Sequence, residues 1–202
     1  AARGGSGGAA GAMFCGAARP ARPCPDAQLA GLAPQITDAR AACALVRRRA
    51  GEWRIDPNRI GLFGSGGTGG AVPIYVAAVD RRVKCVVSNY AFASGREWLP
   101  SMRREYEWLE LPKRLDADRK KRVVEGRGEM VSPREELMIV TPERRQTNVK
   151  KDVDDRIPET VPLRCAEAIM EFTPEDYVAA ISPRAIMFIS TEGDAVTPED
   201  QT

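Results

Sequence analysis

The stretch IGLFGSGGTGG, Ile60–Gly70, is an apolar run that breaks into glycines where a strand would turn into a helix. Its first part, Ile60–Phe63, predicts a buried strand, and the following GGAVPIYVAAVD predicts a helix that tolerates Pro73 best in its first turn. The next apolar run, VKCVVSNYA at Val83–Ala91, is rich in β-branched residues and predicts a second strand, parallel to the first. The three segments together predict one strand-helix-strand unit.

The glycine loop has two chemical interpretations. Residues Gly64–Gly69 match the pattern GxGxxG after a strand, a context in which backbone amides can approach a pyrophosphate. A dinucleotide site also needs an acid about 20 residues later, at the end of the next strand. That region reads Val-Ser-Asn at 87–89, and Asp80 comes too early. A dinucleotide-binding Rossmann protein is therefore the weaker alternative.

The second interpretation is a nucleophile elbow, a sharp strand-to-helix turn that also demands small residues. With the strand at Ile60–Phe63, the nucleophile position falls on Gly66. The run from Asp56 to Leu99, DPNRIGLFGSGGTGGAVPIYVAAVDRRVKCVVSNYAFASGREWL, resembles the elbow region of α/β-hydrolases of the dipeptidyl aminopeptidase and acylaminoacyl peptidase type, including esterase-like relatives. The resemblance extends from about Gln35 to the end of the sequence.

The resemblance implies a serine hydrolase acting on an ester or amide bond. It places the triad acid on Asp194, in the motif GDAVTP after a third predicted strand, RAIMFIS. It makes the amide of Gly67 one donor to the oxyanion. An ordinary loop or N-cap aspartate is the alternative role for Asp194.

Two departures from the family pattern predict an inactive chain. Gly66 has no oxygen to attack a carbonyl, and Ser65 is only a weak substitute because one residue of rotation turns its hydroxyl elsewhere. The 202 residues contain no histidine, the usual general base. The family's histidine would follow the next strand, beyond Thr202, so we expect truncation to explain its absence. A non-catalytic binding protein that keeps the hydrolase pocket is the alternative of a different class.

The predicted fold is α/β, three layers, with a mostly parallel sheet flanked by helices and an inserted helical cap. We expect residues 1–34, rich in Gly, Ala and Pro, to be poorly ordered, and residues 35–93 and 174–202 to form the hydrolase core. Residues 94–173, with interleaved charges, form the predicted cap. Three aromatic residues of the cap are candidates for the substrate pocket, with core packing as the alternative for each: Trp98, Tyr106 and Trp108.

Composition limits the partners. The net charge is +2, from 30 basic and 28 acidic residues, which argues against nucleic acid as a partner. No apolar run approaches the roughly 20 residues of a membrane span, and no secretory signal is recognisable, so we expect no membrane partner and a cytoplasmic location. The odd count of five cysteines, without a CxxC pair, predicts reduced thiols. We expect no cofactor or metal, a small ester, amide or peptide as substrate, and a possible homo-oligomer through an exposed sheet edge.

Overall fold

The computed structural model describes residues 32–138 and 158–201. The predicted segment 1–34 therefore lies almost entirely outside the described residues. The α-helices and strands, in chain order, are α1 (Ala33–Arg48), α2 (Ala50–Trp53), β1 (Ile60–Ser65), α3 (Gly67–Val79), β2 (Val83–Asn89), α4 (Gly95–Ser101), α5 (Glu105–Glu125), β3 (Met130–Val131), β4 (Val161–Pro162), α6 (Cys165–Glu171), α7 (Glu175–Val178) and β5 (Ala185–Ile189). Short helical turns are formed by Pro133–Leu137, Ala179–Ile181 and Glu199–Gln201.

The main sheet has three parallel strands in the order β1-β2-β5. The predicted strand-helix-strand unit is present, and the third strand joins β2 as a parallel neighbour. The carboxyl ends of β1 and β2 lie side by side, with Ser65 opposite Asn89. This edge is where open parallel sheets place their ligand sites.

Helix α3 covers one face of the sheet. Its side chains are buried nearly all round, including Ala71, Val76 and Ala77 at 0% exposure, as expected of an apolar helix inside a core. On the opposite face, Phe63, Val87 and Met187 form one row across the three strands, and Phe63 is 66% and Met187 58% exposed. The prediction of helices on both faces therefore stays a prediction, because the described helices that pack on the sheet lie on one side.

The predicted place of Pro73 was wrong, and a second proline marks the start of a helix. Helix α1 begins at Ala33, with Pro34 in its first turn. Helix α3 begins at Gly67, so Pro73 lies inside the helix instead of in its first turn. A proline ring there crowds the carbonyl of residue 69, and the absent side chain of Gly64 leaves space for both groups.

The residues between β2 and β5 contain a long helix that packs on the core and is joined to a neighbouring helix by an ion pair. Helix α5 buries Leu111 and Leu115 in the common core. Asp118, almost fully buried, pairs with Arg122 at 2.9 Å, and Arg122 reaches Glu167 of α6 at 2.8 Å. None of the helices within residues 32–138 and 158–201 combines the length and the apolar character that a bilayer crossing requires.

Asp80 forms a charge cluster at the far end of α3 from the elbow. Hydrogen bonds from Arg82 lower the pKa of Asp80 from its ordinary value of 3.8 to about 2, and Arg40 lies 3.7 Å from the same carboxylate. The carboxylate is buried and caps the turn into β2 through the amide of Arg82, 3.1 Å away. The cluster therefore stabilises the fold and takes no part in the elbow.

We expect Asp80→Asn to lower the free energy of unfolding at pH 7 by about 1 to 2 kcal/mol, since Arg82 is partly exposed and its pairing is screened. Because the pKa of Asp80 is lower in the folded state, its contribution is complete above about pH 4 and is lost as the pH falls toward 2. Urea unfolding at a series of pH values measures the difference. Asp38→Asn, on an exposed position of α1, is the control, and equal effects of the two variants at pH 7 would contradict the role assigned to Asp80.

Candidate active site at the elbow

The turn between β1 and α3 is built on Gly66. Its backbone lies at φ 81° and ψ 160°, a region that is open essentially to glycine alone. The Gly66 N–H donates to the carbonyl of Asn89 at 2.9 Å, and the Gly66 carbonyl accepts from Gly70 N–H at 2.6 Å. A side chain at Gly66 would meet nothing within 4 Å. The position predicted for a nucleophile therefore faces open space but carries a glycine-specific backbone.

Close packing fixes the residues around this turn. A Cβ atom on Gly67 would lie 2.8 Å from the ring of Trp98, and one on Gly70 would lie 2.7 Å from the carbonyl of Asn89. The buried hydroxyl of Ser88 donates to the Gly70 carbonyl at 2.9 Å and ties the helix start to β2. The glycines are thus required by the sharp turn itself, whichever ligand the turn serves.

Ser65 lies beside Gly66, at the end of β1. Side chains alternate along a strand, so Ser65 shares the uncovered sheet face with Phe63 rather than the face under α3. Its Oγ accepts a hydrogen bond from Asn89 Nδ2 at 3.0 Å and is exposed. An amide is no base, so this partner does not activate the hydroxyl as a nucleophile.

Asp194 lies in the loop after β5, where the family resemblance places the acid. Its Oδ1 accepts from the amides of Val196 at 2.7 Å and Thr197 at 3.3 Å, and its Oδ2 accepts from the Thr197 hydroxyl at 3.2 Å. These bonds are those of an aspartate that orders its own turn. Within the described residues, the partners of this carboxylate are groups of the same loop.

Trp98 joins the elbow to the Asp194 loop. The side chain is 1% exposed and stacks on Phe92, with ring centroids 4.7 Å apart and an interplanar angle of 17°. Its Nε1–H donates to the Val196 carbonyl at 2.6 Å, while the far edge of the indole touches Gly67. One buried side chain thus connects the start of α3 with the loop that carries Asp194.

The other two aromatic candidates lie elsewhere. Tyr106 is 60% exposed near the start of α5, where it lines an open groove of about 1,070 Å³. Trp108 is half-buried and packs against the core. The structure therefore brings Trp98 to Gly67 and places Tyr106 on a separate surface.

Two residues at this edge were not singled out from the sequence. Asn89 supplies both the carbonyl that holds Gly66 and the amide that holds Ser65. Tyr90, next to it, has a positive φ of 57°, which is uncommon outside glycine, and its hydroxyl accepts from Thr191 at 2.9 Å. The available signal in the sequence was their position at the carboxyl end of the second strand, next to the elbow.

Neither a protein-family model nor a curated protein sequence matches the chain. Solved structures do resemble it. DcsB, solved in complex with its substrate analogue, gives a TM-score of 0.64 at 18% identity, over 83% of this chain and 57% of DcsB. The α/β hydrolase GrgF from Penicillium sp. sh18 gives 0.52 at 16% identity, over 80% of this chain and 56% of GrgF. The hypothetical protein PA2218 from Pseudomonas aeruginosa gives 0.51 at 22% identity, over 66% of this chain and 45% of PA2218.

These likenesses show an α/β-hydrolase-like fold, here with a small parallel sheet of three strands. The chain spans about half the length of the solved structures that it resembles. At these identities the likeness concerns the fold, and the chemistry has to be argued from the residues of the elbow.

Proposed function

We propose that this protein has the architecture of serine hydrolases of the dipeptidyl aminopeptidase and acylaminoacyl peptidase type, and that it binds a small ester or amide, peptides included, at the elbow without forming an acyl-enzyme. The observation that carries the proposal is Gly66, which occupies the strained turn between strand and helix where an elbow carries its nucleophile but has no side-chain oxygen to attack a carbonyl. The α/β-hydrolase-like fold supports this interpretation over the dinucleotide alternative.

The binding element that remains is the start of α3. The first amides of a helix have no acceptor within the helix, and they carry the positive end of its dipole. The Gly67 amide is the first of them, and the contact with Trp98 fixes its position. Such preorganised N–H donors bind the oxygen of a polarised carbonyl and would not need a nucleophile to do so.

The elements needed for covalent chemistry are incomplete. No histidine occurs among the 202 residues, so Asp194 has no imidazole in this chain to orient, and Ser65 faces the other side of the sheet. An oxyanion-binding amide without a general base and nucleophile supports at most a small fraction of hydrolase activity. Binding without turnover is the function that these residues support best.

We expect Gly67→Ala to weaken ligand binding about tenfold, because the added methyl group would lie 2.8 Å from the Trp98 ring and displace the helix start. Saturable quenching of tryptophan fluorescence by a panel of p-nitrophenyl esters and anilides measures the affinity. Gly69→Ala is the matched control, because a methyl group there meets nothing within 4 Å in the same helical turn.

Three results would contradict the proposal. Absence of saturable binding up to millimolar ligand would show that the elbow is not a binding site. Equal losses of ligand affinity in Gly67→Ala and Gly69→Ala would show that Gly67 is not part of the site. Release of nitrophenolate by the unaltered chain, at a rate above that of Gly67→Ala, would instead show that the chemistry has been kept.

A further inference from the structure

The solvent-facing side of α5 carries an ordered stripe of side chains. Residues spaced by three and four positions lie on one face of a helix. On α5 this face is exposed, apolar toward both ends and charged in the middle, and the opposite face packs into the core through Leu111 and Leu115. We call the outward residues the α5 stripe: Tyr106, Leu109, Lys113, Asp116, Lys120 and Val123.

Large apolar side chains in the stripe are unusually open to solvent. Tyr106 is 60%, Leu109 55% and Val123 86% exposed, and the neighbouring Val124 is 82% exposed. The helix has 21 residues, and the stripe from Tyr106 to Val123 covers about 25 Å of its length. Large exposed apolar side chains grouped in this way, at each end of the stripe, are typical of an interaction site.

The order of residues makes the stripe complementary to itself. When two copies of α5 lie antiparallel about a two-fold axis near its middle, Tyr106 of one meets Val123 of the other, and Leu109 meets the alkyl stem of Lys120. In the same register Lys113 meets Asp116, twice by symmetry. The apolar ends would thus be covered and the central charges would be paired with opposite signs.

The charges of the stripe are available for such pairing. In the single chain Lys113 bonds Glu110 at 2.7 Å and Arg119 bonds Asp116 at 2.7 Å, both as exposed pairs three residues apart. Exposed pairs of this kind contribute little stability, so exchanging their partners has a small cost. Lys120 has no ion-pair partner within residues 32–138 and 158–201.

The groove beside Tyr106 provides space for the end of a partner helix. It measures about 1,070 Å³, is open to solvent, and is lined by both apolar and charged side chains, among them Met102, Leu111, Arg103 and Glu110. In the antiparallel arrangement the partner's end that carries Val123 and Val124 reaches Tyr106, at the border of this groove. The exposed valines would then pack against the apolar part of this mixed surface.

We propose that a second copy of this chain docks on the α5 stripe, forming a symmetric antiparallel helix pair. One helix pair is at the small end of protein interfaces, so the dimer forms at micromolar or higher concentrations. This association does not involve the elbow, so a negative result for ligand binding would leave the dimer proposal unaffected, and the reverse also holds.

Sedimentation velocity over a concentration series up to several hundred micromolar tests the proposal. We expect reversible dimerisation in the unaltered chain. Lys113→Asp places like charges opposite each other twice and should raise the dissociation constant about tenfold or more. The double variant Lys113→Asp with Asp116→Lys restores opposite charges across the interface and should dimerise again. Lys121→Asp makes the same charge change outside the stripe and is the matched control.

Circular dichroism of each variant confirms that α5 remains helical. A chain that stays monomeric at every concentration overturns the proposal. So does a dimer that is indifferent to Lys113→Asp, which would use another surface such as the open sheet face around Phe63 and Met187. Equal weakening by Lys113→Asp and Lys121→Asp, or failure of the double variant to recover, also overturns it.

Discussion

Replacing Trp98 with alanine is expected to lower the free energy of unfolding by about 3 to 5 kcal/mol, the range found for large aromatic residues removed from a core. The side chain is 1% exposed and stacks on Phe92. Its loss would also leave the Val196 carbonyl without its indole donor, 2.6 Å away. Urea unfolding followed by circular dichroism measures the effect.

Two further variants make this expectation specific. Trp98→Phe keeps a ring against Phe92 but loses the Nε1–H donor, so we expect a smaller loss of about 1 to 3 kcal/mol. Trp53→Ala is the matched control, because Trp53 is 42% exposed and contacts Arg49 through a cation-π interaction at 5.8 Å. A Trp98→Ala protein within about 1 kcal/mol of the unaltered chain would contradict the role of Trp98 as the link between elbow and loop.

Restoring serine at the elbow is expected to destabilise the protein without producing a hydrolase. Gly66→Ser should lower the free energy of unfolding by about 2 to 3 kcal/mol, because φ 81° with ψ 160° is a region that side chains avoid. We expect no ester hydrolysis above that of the unaltered chain, since the sequence offers no histidine to take the serine proton.

Gly66→Ala separates the two parts of this expectation. It introduces the same backbone strain without a hydroxyl, so its stability should match that of Gly66→Ser. Ester hydrolysis by Gly66→Ser, absent from Gly66→Ala, would mean that the elbow still accepts a nucleophile and that the chain retains a proton acceptor. The unaltered protein would then be a hydrolase that lacks only the nucleophilic side chain at position 66, rather than a binding protein.

The strand-helix-strand unit around the elbow was predictable from the sequence, because the apolar runs that mark the two strands and the glycines that mark the turn agree on the same structure. The run at Ile60–Phe63 and the β-branched run at Val83 are strands in the structure, with boundaries shifted by two residues. Pro73 was misplaced because propensity alone disfavours an interior proline, whereas the packing of α3 against Gly64 accommodates it. The helices predicted on the second face of the sheet were inferred from the fold class, because no local sequence pattern indicates which face a helix covers.

The site was predictable only where the chain itself forms the turn. Gly66 and Gly67 lie at the start of α3 as the motif indicates. Asn89 and Phe92 reach the same turn from the end of β2, a juxtaposition that depends on strand order and cannot be seen in the local sequence. Tyr106 and Trp98 have similar aromatic character but opposite burial, because tertiary packing decides which of them reaches the core.

The most direct test combines two measurements on the protein incubated with a saturating p-nitrophenyl ester. Quenching of tryptophan fluorescence reports binding, and the intact mass with a peptide map of residues 60–79 reports any covalent acylation. We predict saturable binding and an unchanged mass. An acyl adduct on Ser65, the residue before Gly66, or the absence of binding at an unmodified elbow would contradict binding without covalent chemistry.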